Sequence, residues 1–125
     1  MMKIVYFWKP ALWLIIILIL SLIPGNKLPG IPIFPHFDKV VHAAMYFGLA
    51  ILMIKPLREN IASRYYFWAI LICFVIGSLV ELFQEYLAIN RSGSLHDEMA
   101  NVAGALLGLM FYHYFISGYW WEKFV

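Results

Sequence analysis

Three short stretches of this chain carry the side chains able to do chemistry. They are Asp38-Lys39-x-x-His42, Glu81-x-x-Gln84, and a run from Arg91 through Ser94 and Asp97 to Asn101. Carboxylates beside an imidazole can hold and move protons. The same groups are suitable ligands for a divalent cation such as zinc or manganese. Lys39 and Arg91 can neutralise those carboxylates without any metal, and this simpler reading is preferred, so no cofactor is expected. No Ser, Thr or Cys sits deep beside His42 in the pattern, so no covalent nucleophile is visible and acyl transfer is disfavoured.

The setting of these residues is unusually apolar. Of 125 residues, 64% are hydrophobic, 18% aromatic and 13% charged, where soluble domains carry about 25% charged residues. So short a chain has too little polar surface to cover itself in water. A net charge of +2 with scattered basic residues gives no footprint for nucleic acid. The single cysteine, Cys73, lies in an apolar run, belongs to no metal spacing and reads as a small packed hydrophobe.

The composition therefore predicts an all-α integral membrane protein, a four-transmembrane-helix bundle forming one domain over residues 1–125. Apolar stretches place spans roughly at 7–24, 37–55, 65–87 and 95–117. The last three reach a comfortable length only by drawing in neighbouring polar residues. Lys3 and Lys9 precede the first stretch as they would in a signal peptide, but SLIPGNKLPG after it lacks a small-x-small cleavage pattern, so an uncleaved span is expected. Prolines at 24, 29, 32 and 35 make the connection that follows stiff and extended.

Basic residues set the expected direction. With the N-terminus cytoplasmic, that side holds Lys3, Lys9, Lys55, Arg58, Arg64 and Lys123, against Lys27, Lys39 and Arg91 opposite. This bias favours an N-in/C-in arrangement. Every polar cluster then falls at the extracytoplasmic end of its helix.

Helical spacing sharpens the convergence. Asp38, His42, Met45 and Leu49 share a face, as do Gly77, Glu81, Gln84 and Glu85, and Asp97, Asn101, Gly104 and Gly108. Two layers are expected: Asp38, Glu85 and Asp97 outermost, then His42, Glu81 and Asn101 one turn deeper. Ser94, three residues before Asp97, reads as a helix cap. A charge at a helix centre costs about 2.5–3.5 kcal/mol on insertion scales, so these groups should face one another rather than lipid. The bland alternative is a salt-bridge network that only holds the helices together. Gly104 and Gly108 read as a helix-packing stripe, with oligomerisation through them a further option. His113 reads as interfacial, and His36 and His96 as solvated loop residues. On the expected outer side, three cations (Lys27, Lys39, Arg91) meet five carboxylates (Asp38, Glu81, Glu85, Asp97, Glu98). A plain anion pocket would not be net acidic. Protonated carboxylates, a resident cation, or Lys39 and Arg91 acting as internal counter-ions would each resolve this.

Taken together, DKVVHAAMY (38–46), ELFQ (81–84) and RSGSLHDEMANVAGALLG (91–108), with SLIPG at 21–25, resemble the VanZ-like family. The resemblance runs over roughly residues 21–109. It carries the family's characteristic polar positions onto Asp38, Lys39, His42, Glu81, Gln84, Arg91, Asp97 and Asn101, while His96 and Glu98 fall outside the pattern. It implies a role in resistance to teicoplanin-type glycopeptides, through a membrane lipid or lipid-linked cell-wall component as partner, and supplies no mechanism. Three functions stay open: a protein that binds or alters an envelope component; a small intramembrane enzyme acting on a lipid headgroup through Asp38, Glu81 or Asp97 with His42; and a structural or partner subunit.

Overall fold

The structure is a computed structural model of the chain, describing residues 2–23, 36–87 and 94–125. Among the described residues all regular structure is helical. A short 3-10 turn, Ile4–Phe7, leads into α1 (Trp8–Leu22). It is followed by α2 (Phe37–Ile61), α3 (Tyr65–Leu87) and α4 (Leu95–Phe111). A π-helical turn over Tyr112–Ile116 extends α4, and a 3-10 turn, Trp120–Phe124, follows it. Four helical segments, Ile4–Leu22, Phe37–Ile61, Tyr65–Leu87 and Leu95–Ile116, are long and apolar enough to cross a membrane. The proline-rich connection expected at 24–37 falls largely outside the described residues, as does Arg91.

The second helix runs six residues past its expected end at 55, through Pro56. Proline deletes one backbone donor, which an isolated helix tolerates poorly. Here the chain beyond it is held: Asn60 Nδ2 donates to the Pro56 carbonyl at 2.7 Å, and Lys3 pairs with Glu59 at 2.7 Å. Only then does the helix stop, with Ala62 in the left-handed region at φ 62° and its N–H on the Arg58 carbonyl. The fourth helix starts as expected, with Ser94 Oγ accepting the Asp97 N–H at 3.1 Å.

The core forms around α2, whose Tyr46, Leu49, Ala50 and Ile54 are buried among Ile17, Ala69, Cys73 and Ala105. Leu12, Ile19, Phe74, Leu79, Leu107 and Met110 face outward, as a lipid-facing belt requires. Closest of all is α4 on α2. A Cβ placed on Gly104 would run into the backbone of Ala43, and one on Gly108 would lie 2.5 Å from the Phe47 carbonyl oxygen. The glycine stripe is thus occupied within the chain, where it lets two backbones touch. Side-chain bonds tie the first helix in: Trp13 Nε1–H donates to the Met45 carbonyl at 2.8 Å, and Gln84 Nε2–H to the Ser21 carbonyl at 2.8 Å.

One end of the bundle is stitched by charge. Lys9 Nζ donates to the Phe124 carbonyl at 2.6 Å, and Arg58 pairs with Glu122, which also accepts from the Tyr112 hydroxyl and the Gly118 N–H. Both chain ends therefore lie at this end, with the start of α3. The start of α2, the end of α3 and the start of α4 lie at the other.

Candidate functional site

At that second end, three helices bring their polar residues together. His42 from α2, Glu81 from α3, and Asp97 and Asn101 from α4 are all buried, with exposures of 3, 8, 8 and 1%. His42 Nδ1 lies 3.0 Å from Asn101 Oδ1 and 3.5 Å from Glu81 Oε1. Glu81 Oε2 accepts the Ser94 N–H at 3.1 Å, so the cap that starts α4 also anchors the carboxylate from α3. Lys39 Nζ reaches over the group to Asp97 Oδ1 at 3.0 Å and to Asp38 Oδ2 at 3.4 Å.

The two expected layers are rearranged. Asp97 lies inside with His42 and Glu81, while Asp38 and Glu85 face outward. The Asp38 side chain is 60% exposed and Lys39 31%, so these two form the rim. Asp97 sits in the first turn of α4 with its carboxylate bonded to Lys39 and its N–H to Ser94, whereas Asp38, in the first turn of α2, meets Lys39 from the exposed side. Gln84 is buried as expected, yet its amide serves α1 through Ser21 rather than the cluster. Arg91 lies outside the described residues.

Glu98, which the motif did not single out, extends the network. Asn101 Nδ2 donates to Glu98 Oε2 at 3.1 Å, and Ser78 Oγ to Glu98 Oε1 at 3.3 Å. The space for that carboxylate is Gly77, where a Cβ would lie 2.5 Å from Glu98 Oε2. Helical spacing places Gly77 on the polar face of α3, and a small residue there is the available signal. Below the cluster the Tyr46 hydroxyl is buried without a hydrogen-bond partner, one turn along α2 from His42. Among the other histidines, His36 and His96 are exposed, and exposed His113 lies 3.3 Å from the Tyr66 hydroxyl. Cys73 is a buried free thiol.

The chemistry available follows from donors and acceptors. An amide oxygen can only accept, so the bond between His42 and Asn101 needs a proton on Nδ1. One proton cannot serve both oxygens that face that nitrogen, and Glu81 Oε1 is left without a hydrogen-bond donor. His42, Glu81 and Asp97 each offer a ligand atom, all within 4.8 Å of one another, a grouping that could hold a metal ion. An apolar groove of about 200 Å³ between Phe7, Leu14, Met53 and Ile76 lies towards the opposite end and does not meet the cluster.

No curated protein and no solved structure matches the chain. A family model described as VanZ/LLP1 matches residues 2–117, a range that takes in all four apolar helices and every residue of the cluster. A membrane-type helical bundle that holds its buried polar residues at one end and matches that model over nearly its whole length belongs to the VanZ/LLP1 family.

Proposed function

We propose that this VanZ/LLP1 protein works at the outer face of a bacterial cytoplasmic membrane. There its buried cluster engages the headgroup of a membrane lipid or lipid-linked cell-wall component, lowering susceptibility to teicoplanin-type glycopeptides. The direction rests on the basic residues. Lys3, Lys9, Lys55, Arg58, Arg64 and Lys123 all lie at the end stitched by Glu122, which the positive-inside rule assigns to the cytoplasm. Family membership ties the chain loosely to glycopeptide resistance.

One observation carries the site. Ionisable groups from three helices meet in a buried place at one end of the bundle, with the more exposed Asp38 and Lys39 as its rim. Helices in a membrane can associate through small residues, and Gly104 and Gly108 already bring α4 against the backbone of α2, so close packing of this pair has a source besides the cluster. A second reading, an intramembrane enzyme, draws on the unpartnered Glu81 Oε1 at 3.5 Å from His42 Nδ1, a carboxylate and imidazole placed to share a proton over a bound headgroup.

The test is expression of the chain in a glycopeptide-susceptible bacterium, comparing the wild type with Glu81→Gln and His42→Ala for teicoplanin susceptibility and for protein level in the membrane. Protection lost with the protein retained is expected. Variants that are retained and still protect fully, or a wild-type chain that never protects, would refute the proposal.

A further inference from the structure

We infer that the cluster is a divalent-metal site, with His42 Nδ1, Glu81 Oε1, Asn101 Oδ1 and one Asp97 oxygen as ligands and a zinc- or manganese-class ion as occupant. The inference rests on the site reading above and gives it an ion. The starting point is the orphaned oxygen. Glu81 is more than nine-tenths buried, its Oε1 has no hydrogen-bond donor, and it is aimed at the nitrogen of a histidine whose proton, when present, goes to Asn101. Buried carboxylate oxygens normally find a donor or a cation.

The spacing between donor atoms fits a coordination sphere. Ligand bonds of about 2.1 Å put neighbouring donors about 3.0 Å apart in an octahedral set and about 3.4 Å apart in a tetrahedral one. Asn101 Oδ1 and Glu81 Oε1 stand 3.0 and 3.5 Å from His42 Nδ1, which matches these values, and Asp97 joins the same group, its ligand atom within 4.8 Å of those of His42 and Glu81, so that a small inward shift would complete the set. Binding would release the Nδ1 proton to solvent and convert the Asn101 oxygen from acceptor to ligand, which is the usual proton linkage of a histidine site. The second shell is in place: Ser94 N–H holds the other oxygen of Glu81, Lys39 holds Asp97 Oδ1, and Glu98 holds the Asn101 amide nitrogen. One nitrogen and three oxygens suit zinc or manganese. An ion here would also give an acidic cluster the positive charge that an anionic headgroup needs.

The experiment uses the full chain in detergent, stripped with a chelator and titrated with Mn2+ under electron paramagnetic resonance, with Zn2+ as competitor. The expected result is about one Mn2+ per chain, displaced by Zn2+, with nitrogen modulation of the echo that changes when the histidines carry nitrogen-15. Glu81→Gln should weaken binding by on the order of tenfold or more, and His42→Ala should remove the nitrogen signal. Glu85→Gln, an exposed carboxylate outside the cluster, should bind as the wild type does. Should His42→Ala fail to fold, a chain with the exposed His36, His96 and His113 changed to Gln still decides, since any histidine nitrogen modulation it keeps can come only from His42. A monodisperse, helical wild-type chain that takes up neither ion overturns the metal site and assigns the charge balance to a side-chain cation. It does so even where Glu81→Gln abolishes protection in cells, which keeps the two readings separable. Binding unchanged by Glu81→Gln, or nitrogen modulation surviving in His42→Ala, overturns it as well.

Discussion

Replacing Gly104 or Gly108 by alanine tests the link between packing and the cluster. At Gly108 the new Cβ would stand 2.5 Å from the Phe47 carbonyl oxygen, about 1 Å short of the roughly 3.5 Å at which such atoms rest. At Gly104 the conflict is tighter and involves the carbonyl, Cα and C atoms of Ala43. Because the obstacle is backbone in the middle of a helix, no side chain can swing aside, and α4 must retreat from α2 by about 1 Å. A gap of 0.5–1 Å forfeits a quarter to a half of each contact's attraction. Overpacking of this kind costs about 1–3 kcal/mol, and Gly104→Ala should fall at or above the top of that range. The retreat also reaches the cluster, since Ala43 follows His42 and Gly104 lies one turn below Asn101, so their 3.0 Å bond would stretch beyond hydrogen-bond length. Gly77→Ala is the control, because its obstacle is the flexible end of Glu98. That substitution should cost about 1 kcal/mol or less while displacing the carboxylate from Asn101. Reversible unfolding in mixed micelles measures both. A Gly104→Ala chain within about 0.5 kcal/mol of wild type, or one less affected than Gly77→Ala, would show that the close approach of α4 to α2 has been misjudged.

Two further predictions concern the remaining ties between helices. The Tyr112 hydroxyl, the Gly118 N–H and Arg58 hold the Glu122 carboxyl down to about 2 from an ordinary 4.5. Since the folded value is the lower one, its stabilising effect is complete above about pH 4.5 and fades as the pH falls toward 2. Thermal unfolding of wild type and Glu122→Gln should accordingly differ by a constant amount near neutral pH and converge in acid, and a difference independent of pH would sink the assignment. Gln84→Ala removes the buried donor to the Ser21 carbonyl and should cost about 1–3 kcal/mol, read in the same micelle assay. Glu85→Ala, one residue on and exposed, should change stability by less than about 0.5 kcal/mol, and equal effects would show that the bond to α1 does not matter.

Composition alone was enough for the class of fold. With 64% hydrophobic residues in so short a chain, apolar runs had to become membrane-length helices. Period-3.6 spacing placed His42, Glu81, Asp97 and Asn101 on inward faces, because helix geometry is local and repeats regardless of partners. The Ser94 cap was legible for the same reason. Spacing could not say how the helices rotate and slide against one another. That is set by where backbones touch, at Gly104 on Ala43 and Gly108 on Phe47, and by which ends are tied. Those contacts decided that Asp97 goes inside while Asp38 stays at the rim, and that Gln84 turns to α1. They also brought Glu98 into the network through the space at Gly77, and left Glu81 Oε1 facing His42 without a donor. The extension of α2 past Pro56 was likewise a tertiary matter, since Lys3 supplies a hold on Glu59 that no reading of α2 alone contains. Local periodicity fixes which face of a helix is polar, and only the packing of one helix on another fixes what that face meets.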